Sequence, residues 1–269
     1  MGKTYFEKSK SYKGFHYSCL SEDMIHNLHA KIFEILISII NVFEKNNIRY
    51  MLCGGTLLGA MTTGKFIPWD DDIDICVFED DYEKMKQLLI QELPVSIIVQ
   101  CKETEPNYYH GWIKIRDKYS EVSPKEKIYQ YNGVWIDIYN LKKIPENKVQ
   151  REIHLEHLNY LIRRYMGGGI STKEMFRRIF ENHLVQKTTK FSEEVPGNTL
   201  TFKYVVWSAS KILLDPEWCF PQTTCIFEGI ELPTFYDPPR NLIQHYGKDY
   251  EKLPPDENRC LSLNRIEII

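Results

Sequence analysis

The segment "WDDDIDICVF", residues 69–78, restricts this chain more than any other. Alternation along it puts Asp72 and Asp74 on one side of a strand and Ile73, Ile75 and Val77 on the other. The apolar side must be buried, which brings the carboxylates close to a core. Two acids one residue apart then repel, and at least one pKa rises unless a cation lies between them. A third carboxylate stands in "VWIDIYNL", where Trp135, Asp137 and Tyr139 share the face opposite Val134, Ile136 and Ile138. Hard oxygen ligands suit Mg2+ or Mn2+, which bind through a few carboxylates together with substrate phosphates. The expectation is a metal site of Asp72, Asp74 and Asp137 serving phosphoryl transfer.

The neighbouring segments supply groups for the same chemistry. "IRYMLCGG" predicts a strand over residues 48–53, broken at Gly54 and Gly55, with a helical turn in "TLLGAM". The glycine pair permits close backbone approach and offers amides to phosphate oxygens, with Thr56 next in line. In "WIKIRD", Lys114 and Arg116 alternate with Ile113 and Ile115 and can reach one cleft, neutralising a leaving phosphate.

Periodicity places a long amphipathic helix over residues 22–45, with Ser21 as its N-cap and Met24, Leu28, Ile32, Leu36, Ile39 and Val42 along one stripe. A second helix is expected over 80–93, and strands in "VSIIVQC", "HGWIKIRD" and "GVWIDIYNL". Beyond Pro145 the pattern turns helical over 148–165 and 171–189, and a last helix starts at Asp237 and Pro238 and stops at Gly247. The division expected is a catalytic α+β half, 1–145, and a mostly helical half for substrate or acceptor binding, 146–269.

The 34 basic and 37 acidic residues leave no global positive field, so nucleic acid is not an expected partner. Seven cysteines at irregular spacing read as reduced thiols rather than a disulfide framework. The apolar run 32–43 contains Glu34 and is too short to span a bilayer, and residues 1–10 lack an apolar signal core, which points to the cytoplasm. Arg163, Arg164, Arg177 and Arg178 read as a solvated helix face, with contact to a phosphate-bearing glycan or an anionic membrane as the alternative.

With these residues in place, the order Gly-Gly, Asp72-Ile73-Asp74-Ile75 and Ile136-Asp137-Ile138 resembles the nucleotidyltransferase superfamily with a DNA polymerase β-like core. "GGTLLGA", "FIPWDDDIDI", "FEGIELP", "HYGKDYEKLPP" and Arg259 resemble the LicD family, relatives of the fukutin-related enzymes. The resemblance implies transfer of a phospho-alcohol, usually phosphocholine, from a CDP-alcohol donor such as CDP-choline to a hydroxyl of a cell-surface glycan or teichoic-acid precursor, releasing CMP. It implies Asp72 and Asp74 as metal ligands and Asp137 as a third ligand or the base. Where the family carries a basic residue after "GGTLLGA", this chain has Met61-Thr62-Thr63, with Lys65 nearby. Choline's quaternary ammonium calls for aromatic walls, with Trp112 and Trp135 the leading candidates beside Trp69, Tyr108, Tyr109 and Tyr139. The competing readings are transfer of a nucleoside monophosphate to a small molecule or protein, and a glycan-binding protein without turnover. The expected site of action is the cytoplasm, at or near the inner membrane face.

Overall fold

The computed structural model describes residues 15–123, 125, 129–145, 149–166, 170–179, 202–206 and 212–268. After a two-residue strand β1 (Phe15–His16), Ser21 starts helix α1 (Glu22–Lys45), its hydroxyl accepting from the Met24 amide. That bond satisfies one of the donors every helix start leaves open, and Glu22 and Asp23 in the first turn suit the helix dipole. Length and apolar content would also suit a membrane span. Here, however, Leu28, Ile32, Leu36 and Ile39 are fully buried in the protein's own core.

Strand β2 (Tyr50–Leu52) runs into helix α2 (Gly54–Thr62), followed by β3 (Asp72–Phe78), α3 (Glu79–Glu92), β4 (Ile97–Gln100), β5 (Ile113–Asp117), β6 (Ser120–Ser123) and β7 (Trp135–Pro145). Helix α4 (Val149–Met166) and α5 (172–179) come next, then β8 (Phe202–Val206), β9 (Ile212–Leu214), α6 (Pro216–Cys219), β10 (Thr223–Phe227), β11 (Ile230–Thr234), α7 (Pro238–Tyr246), β12 (Cys260–Leu261) and β13 (Arg265–Ile268). The fold is a mixed α+β one. Its central sheet has the order β2-β3-β7-β5-β4, and β8 and β9 continue it from the far half of β7. β3 and β7 are parallel neighbours, whereas β2, β5 and β4 join antiparallel.

One face of this sheet is apolar. Ile73, Ile75, Ile136 and Ile138 have no exposed surface and share a core with the buried stripe of α1 and with Met85 and Leu89 of α3. Each buried isoleucine contributes about 1.5–3 kcal/mol by transfer from water, which offsets the cost of crowding acids onto the opposite face.

The region after Pro145 contains strands as well as helices, and two of them bring late residues back to the first half. β12 pairs with β1, and β13 pairs with β6, both antiparallel. Helix α5 opens as expected, with the Glu174 amide donating to Ser171; the rest of the predicted 171–189 segment lies outside the described residues. Arg177 and Arg178 both pair with Glu174 on its exposed surface. All seven cysteines are free.

Candidate active site

In the β3–β7 register Asp74 stands opposite Asp137 and Asp72 opposite Trp135. A parallel pair with alternating side chains therefore projects three carboxylates from one patch of sheet, and one oxygen each from Asp72, Asp74 and Asp137 lies within 4.8 Å of the other two. Sequestration from water, followed by the nearby Asp137 charge, pushes the Asp74 carboxyl up to about 7. Burial, then the charges of Asp74 and Asp70, pushes Asp72 well above the usual carboxylate range. Asp70 is raised as well, first by burial and then by Asp74 and Asp71.

Few protein groups offset this charge. Lys114, opposite Asp137 in the β5–β7 register, donates from Nζ to both its oxygens at 2.8 and 3.0 Å; both side chains are buried. The Tyr139 hydroxyl donates to Asp137 Oδ2 at 3.4 Å, and Trp135 Nε1 donates to Asp72 Oδ2 at 3.1 Å. Among the described residues one ammonium, one phenol, one indole N–H and one backbone amide face three acids, all with hard oxygen donors. That donor set fits a Mg2+ or Mn2+ ion, which would relieve the repulsion.

The glycine pair has a more specific reason than expected. Gly54 sits at φ +56°, and a Cβ there would lie 2.0 Å from Asp74 Oδ2; a Cβ on Gly55 would lie 2.4 Å from Asp70 Oδ2. The missing side chains are the space the carboxylates occupy. The Gly55 amide, expected to face phosphate, donates instead to Asp74 Oδ2 at 3.0 Å, and Thr56 Oγ1 accepts from the Asp74 amide at 2.8 Å. The start of α2 thus serves as a brace for Asp74.

Arg116 shares the face of Lys114 but is turned to structural work. Its Nε donates to Gln100 Oε1 at 2.8 Å and Nη1 to the Gly133 carbonyl at 2.7 Å, with both Arg116 and Gln100 buried. Its guanidinium carbon and Lys114 Nζ lie 5.3 and 4.6 Å from the Trp135 ring centroid, so that indole already faces two of the protein's own cations. Trp112 packs against Tyr139 with ring centroids 5.5 Å apart, and its buried N–H has no hydrogen-bond partner among the described residues.

Two features escaped sequence reasoning. Asp71 is buried, and its Oδ2 accepts from the Ser262 amide and hydroxyl and the Leu263 amide at 2.5, 2.6 and 3.0 Å. It clasps a late segment across 191 positions of sequence rather than pointing at the triad, and no local pattern signals that. His29, which burial pushes below its usual pKa, donates from Nε2 to the Asp70 carbonyl at 2.8 Å and fixes the same loop. The second feature is a cavity of about 460 Å3 that begins at Gly55 and Asp70–Asp72 and is closed by Trp69, Tyr246, Tyr250, Glu257 and Ser262.

Acids grouped on neighbouring strands above a buried apolar layer, braced by a glycine turn, define the class: an α+β domain built around a cation-attracting site. Residues 47–168 match the family described as LicD/FKTN/FKRP, nucleotidyltransferase domain, and the chain belongs to the LicD family. It is 27% identical over 231 residues to the lipopolysaccharide cholinephosphotransferase LicD of Haemophilus influenzae, covering 80% of this chain and 87% of that one. It is 29% identical over 136 residues to the human ribitol 5-phosphate transferase FKRP, covering 46% of this chain and 26% of that protein. An uncharacterized Rickettsia typhi protein is 37% identical over 177 residues, 60% of this chain and 54% of that one. The chain thus spans most of the Haemophilus protein but about a quarter of the human one and about half of the Rickettsia one. The matched range holds Gly54, Gly55, Lys114 and all the acids of the site, whereas the cavity wall from 246 to 262 falls beyond it.

Proposed function

We propose that this protein transfers a phospho-alcohol from a CDP-alcohol donor to a hydroxyl of a glycan acceptor, releasing CMP, on a nucleotidyltransferase-type core. The observation that carries this reading is the convergence of Asp72, Asp74 and Asp137 within 4.8 Å beside Lys114. The names of the Haemophilus and human relatives, a cholinephosphotransferase and a ribitol 5-phosphate transferase, support the class of group moved. The lipopolysaccharide in the first of these names supports a membrane-linked glycan as acceptor, met at the cytoplasmic membrane face.

In this reading Asp72, Asp74 and Asp137 hold Mg2+ or Mn2+. A divalent ion there supplies Lewis-acid neutralisation of the donor's diphosphate. Lys114 holds Asp137 in place by two hydrogen bonds from one ammonium, which suits a ligand better than a mobile proton acceptor. Gly55 and Thr56 hold Asp74 in register, and Trp135 holds Asp72. The acceptor hydroxyl attacks phosphorus, the bond to the CMP oxygen breaks, and the hydroxyl proton passes to solvent or a nearby carboxylate.

The test is product identity. With Mg2+ and a glycan acceptor, CDP-choline or CDP-ribitol should yield CMP, and Asp74→Asn should abolish that release. Pyrophosphate from a nucleoside triphosphate, with no CMP from any CDP-alcohol, would establish nucleotidyl transfer instead. CMP release unchanged in Asp74→Asn and Asp137→Asn would overturn the assignment of the site.

A further inference from the structure

We infer that the outer face of helices α4 and α5 docks on an anionic lipid surface, lying flat on it with apolar side chains inserted and basic ones around them. The inference rests on the transferase reading above and names the surface by which the protein meets the membrane that carries its acceptor.

The apolar side chains come first. Leu155, Ile162 and Met166 are spaced seven and four positions apart, which puts all three on one stripe of α4. They are 40%, 49% and 76% exposed, and Phe176 of α5 is 61% exposed. Thr172 Oγ1 donates to Tyr165 Oη at 3.3 Å, so the first turn of α5 lies against the last turn of α4. Phe176, four positions on from Thr172, shares its face. Single exposed apolar residues are ordinary, whereas a stripe of them at helical spacing marks a surface that meets something.

The opposite face of α4 is already in use. Leu161 has no exposed surface, the Tyr160 ring lies 5.9 Å from that of Tyr109, and Arg163 Nε donates to the Tyr109 carbonyl at 3.1 Å. Arg164 Nη1 donates to the Tyr160 hydroxyl at 3.3 Å, and its guanidinium carbon stands 5.6 Å from the Tyr109 ring centroid. These contacts keep the helix from rolling its outer stripe inward.

Charge decides what the stripe meets. Over residues 158–179 five basic side chains, Arg163, Arg164, Lys173, Arg177 and Arg178, accompany one acid, Glu174, in a chain whose net charge is -3. Arg177 and Arg178 share that acid, so the segment stays positive. A second copy seated there about a two-fold axis would set like charges against each other. An anionic bilayer offers opposite charge and apolar depth together. Among the described residues only α1 has the length and apolar content of a span, and it is buried in the core, so α4 lies on the lipid rather than through it.

The docking helix is also tied to the triad. Ring contacts run from Tyr160 to Tyr109, His110, Trp112 and Tyr139, with centroids 5.9, 4.3, 4.5 and 5.5 Å apart, and the Tyr139 hydroxyl donates to Asp137. This packed run holds the lipid surface and the carboxylates at a fixed separation.

The experiment is flotation of the full chain with vesicles of phosphatidylcholine alone and of phosphatidylcholine mixed with phosphatidylglycerol, at low and raised salt. The chain should bind the anionic vesicles about tenfold or more tightly, and raised salt should weaken that binding. Ile162→Ser/Met166→Ser, Phe176→Ser and Lys173→Glu should each weaken it severalfold, with circular dichroism confirming that the variants fold. Val95→Ser, at a highly exposed residue before β4, should bind like the unaltered chain. Equal binding to both kinds of vesicle, no binding to either, binding untouched by the stripe variants, or an equal loss in Val95→Ser would overturn the inference. A dimer in sedimentation that Ile162→Ser/Met166→Ser dissociates would assign the stripe to a second copy and overturn it as well. CMP release from a CDP-alcohol with a water-soluble glycan separates this from the parent reading. Release without vesicle binding sinks the docking surface and leaves the transferase standing. Vesicle binding that the stripe variants weaken, without CMP from any donor, supports the surface and sinks the transferase.

Discussion

Replacing Gly54 by alanine perturbs the backbone and the carboxylate cluster at a single atom. The residue sits at φ +56°, and a left-handed conformation costs an L-residue about 1–2 kcal/mol. The added Cβ would stand 2.0 Å from Asp74 Oδ2 and 3.0 Å from Asp74 Cβ, so the Asp74 side chain has to move and its bond from the Gly55 amide is lost. A hydrogen bond to a charged acceptor contributes about 1.5–3 kcal/mol. Against this, alanine restricts the unfolded chain and returns about 0.4–1 kcal/mol. The net expectation is about 2–4 kcal/mol of destabilisation, read as a shift of the urea midpoint at unchanged slope. Gly229 supplies the internal control, because its φ of +82° carries the same backbone strain while nothing lies within 4 Å of its Cβ position. Gly229→Ala should cost about 1 kcal/mol or less, by strain alone. Gly54→Ala should also weaken Mn2+ binding, and Gly229→Ala should not. If the two variants fall within about 0.5 kcal/mol of each other with Mn2+ binding intact, the glycine pair does not make room for the acids.

Other consequences are open to the same kind of measurement. Lys114→Met leaves Asp137 buried without its ammonium and should cost about 3–5 kcal/mol in urea melts, most of it recovered in the double variant Lys114→Met/Asp137→Leu. Ser262→Ala removes the hydroxyl bond to buried Asp71 and should cost about 1.5–3 kcal/mol, with Ser262→Thr close to wild type. The Asp74 carboxyl is raised from 3.8 to about 7 when folded, so the native state holds the proton more tightly. Its contribution is complete below pH 3.8 and is lost as pH rises through about 7, so metal-free stability should fall across that window relative to Asp74→Asn. A stability difference between the two proteins that stays flat with pH in EDTA would contradict this.

What could be read without coordinates followed from strand alternation. Asp72, Asp74 and Asp137 were placed on matching faces because period two is local and the isoleucines between them have to be buried. The caps at Ser21, Ser171 and Asp237 were legible for the same reason, each being a side chain acting within three residues. Arg116 shows where alternation stops being informative: it fixes the face, but Gln100 and the Gly133 carbonyl decide where the guanidinium goes. Gly54 and Gly55 were read as amides for phosphate because their spacing permits it, while their closeness to Asp74 and Asp70 is a tertiary fact. The Asp71 clasp and the wall from 246 to 262 join segments almost two hundred positions apart, and no periodicity encodes such a contact.

The most direct measurement is an anomalous difference map from a crystal soaked in Mn2+. A single ion should stand between β3 and β7, bonded to oxygens of Asp72, Asp74 and Asp137 at about 2.0–2.2 Å. A map with full soaking and no ion there, or with the ion seated on Asp70 and Asp71 while Asp137 stays bound only to Lys114, would contradict the account.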